Sequence, residues 1–428
     1  MDTGGEAIMD HSKYLIVGSS HAGLSAIEAI RVQDTAGAMT LLTQEEHFPY
    51  SPTILPYVVS AKVDAGKVFL MDQAYMDRLA VKFRPGARVV GVDPASRTVS
   101  LESGETLEYE NLLLATGAEP TLPPIPGLQE APFHVLRTLE DAQRLGKTAQ
   151  VAKSAIILGA GLIGMHAAES LAQAGLDVTI VEALPHLLPG YFEKQAAGLI
   201  QKVFAEHGLH ILTGSVVTHV TSSNGACAVS LESGLDLSAD LLVVATGVKP
   251  RISYLAASEI EADEGIVVDD TMRTSASKIW AAGDVAQAKS FLDSSKVVQG
   301  TLPTAVEQGR TAGLDMVGDP ALKPYPGSVP MNTYKFFGHR SFSIGLVDIT
   351  EPGEDMEVDQ VFLPSGIQYQ KFVYQNDRLV GVSCINASMD PGIMHQLIRR
   401  QIDLSEVKKR FAGAPVEIGR LLMKKTWS

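Results

Sequence analysis

The stretch AIILGAGLIGMHAAESLAQAGLDVTIVE, residues 155–182, decides the reading of this chain. Ile156, Ile157 and Leu158 form a short apolar run of the kind buried on both faces of a parallel sheet. Gly159, Gly161 and Gly164 follow at GxGxxG spacing, with Leu162 and Ile163 between the last two. The first glycine permits a tight turn, the second lets backbone approach a pyrophosphate, and the third lets the next helix pack closely on the strand. Residues 165–174 are rich in helix formers, and Gly175 ends them at a helix-terminating position. Residues 178–181 make a second β-branched strand closed by Glu182, 23 residues after Gly159. A carboxylate about 20 residues beyond the glycines is placed to meet a ribose 2′-hydroxyl. The glycines alone are a weak signal, but strand, glycines, helix, strand and acid in one βαβ unit are specific. Glu182 would repel a 2′-phosphate, and residues 183–190 hold no Arg or Lys to attract one, so NAD(H) is favoured over NADP(H).

A second unit of the same kind opens the chain. Residues 14–17 read as a buried strand, followed by Gly18-Ser19-Ser20-His21-Ala22-Gly23, with Ser20 where the middle glycine usually sits. Residues 22–32 have helical spacing, and residues 39–43 form the next strand, leading to Gln44-Glu45-Glu46. One of these three takes the ribose-acid role; Glu45 is the choice, with its neighbours left open. Two nucleotide folds imply two nucleotide cofactors, or one cofactor and a degenerate duplicate. Each unit ends alike: NLLLATGAEP at 111–120 contains Ala115-Thr116-Gly117, and DLLVVATGVKP at 240–250 contains Ala245-Thr246-Gly247. IWAAGDVA at 279–286 is a strand running into Gly283-Asp284, and residues 304–317 read as a helix with Pro303 at its first position.

These motifs together resemble the FAD-dependent pyridine-nucleotide oxidoreductases: ferredoxin and rubredoxin reductases, the flavin part of nitrite reductases, NADH oxidases and coenzyme A-disulfide reductases. GAGLIG, the two ATG boxes, AAGDVA and EQGRTAG (307–313) carry the resemblance, which spans residues 13–428. It implies an α/β fold with two Rossmann-like nucleotide-binding domains, the NAD domain inserted in the FAD domain, plus a C-terminal α+β interface domain. The expected boundaries are 13–122 and 251–323 for FAD, 123–250 for NAD, and 324–428 for an interface or partner-docking domain. By the resemblance, Gly18, Ser19, Ser20, Ala22, Gly23, Glu45, Ala115, Thr116, Gly117, Gly283, Asp284 and Thr304 contact FAD, Asp284 through the ribityl chain. The helix beginning near Thr304 would aim its positive end at the flavin. Gly159, Gly161, Leu162, Ile163, Gly164, Glu182, Ala245, Thr246 and Gly247 are the corresponding NAD contacts.

Two departures from the family pattern bear on chemistry. Thiol-using members carry a cysteine in an N-C-G-L-P-Y type segment beside the flavin, whereas Pro52-Thr53-Ile54-Leu55-Pro56-Tyr57 stands here. Thr53 cannot form a thiolate, sulfenic acid or mixed disulfide, which disfavours peroxidase, water-forming oxidase and disulfide reductase routes. The lysine that ferredoxin-reductase relatives place in this segment is replaced by Pro56 or its neighbours. Secondly, His166 stands where relatives often have Glu near the nicotinamide; contact with the nicotinamide or tuning of the flavin potential is one reading, a hydrogen-bonded histidine at the helix start is the plainer one, and it receives no catalytic role.

Bulk properties narrow the field. The 428 residues allow two or three domains, and a net charge of −14 argues against nucleic acid as partner. No apolar run reaches the ~18 residues that span a bilayer, and residues 1–13 lack a secretion signal and read as a loose lead-in, so a cytoplasmic protein is expected. The two cysteines, Cys227 and Cys384, sit in apolar strand-like segments with no metal-ligand spacing, so they read as buried, reduced thiols and no iron–sulfur or zinc centre is expected.

Beyond residue 324, residues 331–347, 367–374 and 378–384 read as strands, Asp390 caps a helix through 402, and Asp403 with Glu406 caps another. Residues 399–428 hold eight basic residues (Arg399, Arg400, Lys408, Lys409, Arg410, Arg420, Lys424, Lys425) against three acids (Asp403, Glu406, Glu417). A solvated helical face and a docking surface for an acidic protein both fit that balance.

The reading is therefore a flavoprotein passing electrons between NAD(H) and an iron–sulfur protein on another chain, without a redox-active cysteine. No side chain is assigned a catalytic role, because hydride transfer is flavin-mediated. A flavin subunit of a multisubunit oxidoreductase that reduces NAD⁺, similar to 2-oxoacid dehydrogenase complexes of the phenylglyoxylate type, is preferred, so an oligomer or complex subunit is expected. A free-standing NADH-dependent ferredoxin or rubredoxin reductase is the alternative, and a non-catalytic flavin-dependent binding protein like apoptosis-inducing factor is the reading from another class.

Overall fold

The computed structural model describes residues 10–223, 225–349, 353 and 355–427. Residues 1–9 of the expected loose lead-in lie outside the described residues, but 10–13 are no lead-in: the first strand runs Asp10–Val17. Its early half pairs with Leu107, Glu108 and Tyr109, partners that a local hydropathy pattern does not reveal.

The chain divides into two compact units, and neither is contiguous in sequence. The first comprises the chain up to Pro52 with Gly66–Glu119 and Lys249–Ser328; the second comprises Thr53–Ala65, Pro120–Val248 and Val329–Ser428.

In the first unit the parallel strands lie in the order Val81–Arg84, Met39–Leu42, Asp10–Val17, Thr106–Leu114, Ile279–Ala281. Leu15, Ile16, Leu41, Leu112 and Leu113 are fully buried, as the continuous apolar runs demand of strands covered on both faces. Helices His21–Gln33 and Leu302–Met316 pack backbone to backbone. A Cβ on Gly309 would lie 2.1 Å from the Ala22 carbonyl oxygen, and one on Gly313 2.6 Å from that of Ala26. The EQGRTAG motif is thus a packing surface. The helix starts at Leu302, two residues before the expected Thr304, so Pro303 is its second residue.

The second unit repeats the scheme with parallel strands His210–Leu212, Asp177–Val181, Ser154–Leu158 and Leu241–Val244. It also holds a five-stranded antiparallel sheet in the order Met331–Phe336, His339–Gly345, Arg378–Ile385, Gln368–Gln375, Met356–Leu363. Glu193, at the N-cap position of helix Lys194–Glu206, makes no cap hydrogen bond with its side chain and instead joins the two layers. The Glu193 carboxylate accepts the Tyr369 hydroxyl and lies 3.9 Å from Lys371 Nζ, which donates to the Val347 carbonyl at 3.0 Å. Lys371 is buried, so these partners are what make its charge tolerable there.

Three sequence expectations change. The edge strand Met356–Leu363 was not anticipated, since seven of its eight residues are exposed and it carries no buried alternation. The helix capped by Asp390 runs Pro391–Arg399, short of residue 402. Asp403 caps no helix: its carboxylate accepts the Ser405 N–H at 2.8 Å in a turn, and the next helix is Lys408–Phe411. The C-terminal stretch forms helix Pro415–Trp427, where Gly419 lets it sit against Ile393 and Leu397 of the preceding helix. Among the described residues no helix is long and apolar enough to cross a membrane, and no cluster of His, Cys, Asp and Glu could hold a metal.

Candidate functional site

In the first unit, Gly18 takes φ +118°, and a Cβ there would fall 2.0 Å from the Ala115 carbonyl oxygen. The first ATG box therefore rests directly on the loop, its Ala115 N–H bonded to the Val17 carbonyl at 2.8 Å. Gly23 is equally constrained, its Cβ position 2.0 Å from the Gly18 carbonyl oxygen. Ser20, in contrast, is the extended N-cap of helix His21–Gln33 and its side chain makes no cap hydrogen bond. A Cβ at this position is harmless to the fold, which answers why serine stands in the glycine's place. Ser19 lies beside it, half-buried, and Ala22 is buried.

Thr116 donates to the Arg251 carbonyl at 3.1 Å and lies 3.0 Å from the Tyr254 hydroxyl, while Gly117 has φ +68°. Tyr254 was not legible in the sequence as a partner of the box. Of the three acid candidates, Gln44 and Glu46 are exposed and Glu45 is half-buried. The Glu45 carboxylate accepts the Tyr50 hydroxyl at 2.6 Å, whereas that of Glu46 lies over Gly86. Gly283, at φ +81°, donates its N–H to the Gln308 side chain at 2.8 Å, and the Asp284 carboxylate lies 3.6 Å from where a Cβ on Gly300 would be. Thr304 is buried and its hydroxyl accepts that of Thr301 at 2.9 Å, so it is engaged within the helix's first turn.

The second unit shows which glycines serve the fold and which leave room. Gly159 has φ +99° and a Cβ position 2.4 Å from the Ala245 carbonyl oxygen; that of Gly164 lies 2.0 Å from the Gly159 carbonyl oxygen. Gly161, the N-cap of helix Leu162–Gln173, has φ −71° and nothing within 4 Å of an added Cβ. No backbone or packing demand explains glycine there. The open space over it, at a helix N-terminus, fits a pyrophosphate. Leu162 is half-buried and Ile163 is 42% exposed beside it. Glu182 is buried, accepting the Ala160 N–H at 2.6 Å with one oxygen and the Leu184 N–H at 2.8 Å with the other. Each carboxylate oxygen keeps a further lone pair for a ribose hydroxyl. The Leu188 N–H binds the Ala160 carbonyl at 2.9 Å, so residues 182–188 hold both polar groups of the loop's Ala160. The Ala245 N–H bonds the Leu158 carbonyl at 2.8 Å, Thr246 donates to the Thr121 carbonyl at 2.9 Å, and Gly247 takes φ +111°.

Thr53 is exposed in the 3₁₀ turn Pro52–Ile54, followed by helix Leu55–Val59. That helix belongs to the second unit, where the Ser170 hydroxyl donates to the Pro56 carbonyl at 3.0 Å. Both cysteines are free and buried, and burial raises their thiol pKa values, that of Cys384 to about 12. His166 lies one turn into helix Leu162–Gln173, edge-on to Tyr334 with ring centroids 4.8 Å apart. It is an aromatic packing partner of the C-terminal sheet, which corrects the expected hydrogen-bonded role.

Burial lowers the His166 pKa from 6.5 to about 4. The unfolded chain therefore takes the proton first, so the stability due to neutral His166 is complete above about pH 6.5 and declines from there towards pH 4. Acidification from pH 7 to pH 5 should remove about 2 kcal/mol through this residue. Urea unfolding of the wild type and His166→Gln at both pH values measures it; equal pH dependence in the two proteins would assign the effect elsewhere.

Two glycine-rich strand–turn–helix units, each with an ATG box resting on its loop, are the arrangement of a protein with two dinucleotide-binding folds. A family model described as pyridine nucleotide-disulphide oxidoreductase matches residues 12–309. Over 98% of its length the chain is 46% identical to the NADH-dependent phenylglyoxylate dehydrogenase subunit epsilon of Aromatoleum evansii, covering 99% of that protein. It is 27% identical to the assimilatory nitrate reductase electron transfer subunit of Bacillus subtilis, matching with 94% of its own length and spanning 51% of the relative's. Among solved structures, the ferredoxin reductase for the CYP199A2 system of Rhodopseudomonas palustris superposes with a TM-score of 0.79 at 26% identity, over 88% of this chain and 91% of that one. The chain belongs to the pyridine nucleotide-disulphide oxidoreductase family. It is an enzyme, an FAD- and NAD(H)-binding oxidoreductase, with the two-Rossmann fold expected of it.

Proposed function

We propose that the protein passes electrons between NADH and an iron–sulfur protein as the flavin subunit of a multisubunit oxidoreductase of the 2-oxoacid dehydrogenase type, working towards NAD⁺ reduction in the cytoplasm. The observation that carries this reading is Thr53 in the family's cysteine position, with the two thiols the chain does have buried and raised in pKa. Electrons then have no thiol of this chain to rest on, and a carrier on another chain must exchange them. The full-length similarity to a dehydrogenase subunit supports the complex. Similarity to a solved ferredoxin reductase supports the second reading, a free-standing NADH-dependent ferredoxin or rubredoxin reductase.

In this proposal residues 13–122 and 251–323 hold FAD. Gly18, Ser19, Ser20, Ala22 and Gly23 face the pyrophosphate, Glu45 the ribose and Asp284 the ribityl chain. Ala115, Thr116, Gly117, Gly283 and Thr304 complete the wall. Residues 123–250 hold NAD(H), with Gly159, Gly161, Leu162, Ile163 and Gly164 at its pyrophosphate, Glu182 at its ribose, and Ala245, Thr246 and Gly247 alongside. FAD, when bound, accepts a hydride and releases electrons singly, which suits an iron–sulfur partner. The N-terminal turn of helix Leu302–Met316 would set the positive end of its dipole towards the negative charge of a reduced flavin.

Residues 324–428 present the docking surface. Arg400, Lys409, Arg410, Arg420 and Lys424 are exposed, whereas Lys408 is committed to Glu357 at 2.7 Å and Asp377 at 2.9 Å. An acidic partner complements that surface.

The test is anaerobic. Excess NADH is expected to bleach the bound flavin, and NADH-to-dye turnover should survive alkylation of Cys227 and Cys384. Turnover lost on alkylation without unfolding would defeat the thiol-free route. Native mass spectrometry of the untagged protein from its own cells should find it bound to an iron–sulfur subunit; a lone chain with full activity towards a soluble carrier selects the second reading.

A further inference from the structure

The first unit contains a side-chain connection that links segments the proposed function assigns to FAD. Tyr50 and Ser51 are consecutive residues that reach two different groups. The Tyr50 hydroxyl donates to Glu45 at 2.6 Å, and Ser51 Oγ shares a 2.9 Å hydrogen bond with His21 Nε2. Successive residues of extended chain project to opposite sides, so one short piece of backbone can serve both. That piece is itself anchored: Tyr50 is buried and forms an antiparallel bridge with Phe69. His21 is the first residue of helix His21–Gln33, inside the glycine-rich loop. It is half-buried, and the Asp284 carboxylate lies close enough for its charge to act on the imidazole.

The geometry points to Tyr50 and Ser51 as a clasp, with His21 its counterpart, that holds the ribose-binding carboxylate and the phosphate-binding loop in register before FAD arrives. The inference rests on the FAD assignment proposed above. Its physical basis is pre-organisation. Residues 18–23, 43–51 and 283–300 come from three separate parts of the chain, and a dinucleotide must meet all of them at once. Side chains already fastened together lose less freedom on binding, and that difference appears as affinity. Tyr50 removes the freedom of the Glu45 carboxylate while leaving it lone pairs for a ribose hydroxyl. Ser51 and His21 fix where the helix N-terminus points. Burial lowers the His21 pKa against the opposing pull of Asp284, so a neutral imidazole makes this bond. All three are positioning residues; none is required to touch the reacting atoms.

The experiment measures FAD binding by the apoprotein, followed by quenching of flavin fluorescence, for the wild type, Tyr50→Phe, Ser51→Ala, His21→Phe and the Ser51→Ala/His21→Phe double variant. Each single change is expected to raise the FAD dissociation constant about tenfold, corresponding to about 1.4 kcal/mol. The double variant should be no worse than the worse of its singles, because each single change already breaks the Ser51–His21 bond. Ser51→Thr, which keeps the hydroxyl, should restore binding to within about threefold of the wild type, a single lost hydrogen bond being the larger effect. Apoprotein melting temperatures are measured alongside, and they should move little. Unchanged dissociation constants, or additive losses in the double variant, would overturn the clasp. Should Ser51→Ala or His21→Phe fail to fold, Tyr50→Phe and Ser51→Thr alone decide it: equal affinities in wild type and Tyr50→Phe sink it. A wild-type protein that takes up no FAD would instead sink the cofactor assignment.

Discussion

Gly161→Ala is expected to fold, melt and retain FAD like the wild type, while its KM for NADH rises tenfold or more, about 1.4 kcal/mol for each factor of ten. The expectation comes from an asymmetry among three glycines that look equivalent in sequence. At Gly159 and Gly164 an added Cβ would collide with backbone carbonyl oxygens at 2.4 and 2.0 Å, so alanine at either site should damage the unit itself. At Gly161 the backbone is already in a region any residue adopts, and apart from its own chain neighbours nothing among the described residues lies within 4 Å of the new methyl. A methyl group there projects into the space over the helix N-terminus, where a pyrophosphate would otherwise approach the backbone. Steady-state kinetics in NADH, with a thermal melt and a flavin spectrum, separate ligand exclusion from unfolding. A variant with unaltered KM would place the nicotinamide dinucleotide elsewhere.

Glu182→Ala should produce the second large effect, and of a mixed kind. Removing the carboxylate deprives the Ala160 and Leu184 N–H groups of their acceptor; Ala160 is fully buried, so its unsatisfied donor destabilises this region by about 1–3 kcal/mol, whereas Leu184 is exposed and water replaces its partner. It also removes the ribose partner and the negative charge that disfavours a 2′-phosphate. The KM for NADH should rise at least tenfold, and the ratio of NADPH to NADH turnover should increase. Glu182→Gln distinguishes the two roles. Its amide oxygen can still accept one N–H, so stability should partly recover, whereas the loss of charge leaves discrimination against NADPH weakened. An unchanged cofactor ratio in both variants would reduce Glu182 to a loop fastener.

Much of this site could be read from the chain because its chemistry is local. Gly18, Gly23, Gly159 and Gly164 each answer a backbone demand made within one strand–turn–helix, and the ATG boxes are legible because each ends the strand beside its loop. What escaped the sequence depends on contacts across long separations. Nothing near residue 116 announces Tyr254, and nothing near His166 announces that Tyr334 will face it. The Asp403-x-x-Glu406 pattern shows the opposite failure. A four-residue capping signature is satisfied as well by an Asx turn as by a helix, and the turn prevailed. Strand Met356–Leu363 was invisible because seven of its eight residues are exposed at the sheet edge, leaving no buried face to impose alternation. Helix Leu55–Val59 sits in the second unit although residues on either side of its segment belong to the first, a division that no local pattern encodes.

The interrupted path of the first unit has a consequence for how the chain is made. Strand Thr106–Leu114 receives its last parallel neighbour, Ile279–Ala281, from residues translated some 165 positions later. At about 5–20 residues per second on the ribosome, that interval lasts roughly 8–33 s. During it, Leu112, Leu113 and Leu114 present an apolar sheet margin without the strand that will cover it. Nascent-chain protection by a chaperone in that interval, and sensitivity of soluble yield to codon speed between residues 114 and 279, follow from the topology alone.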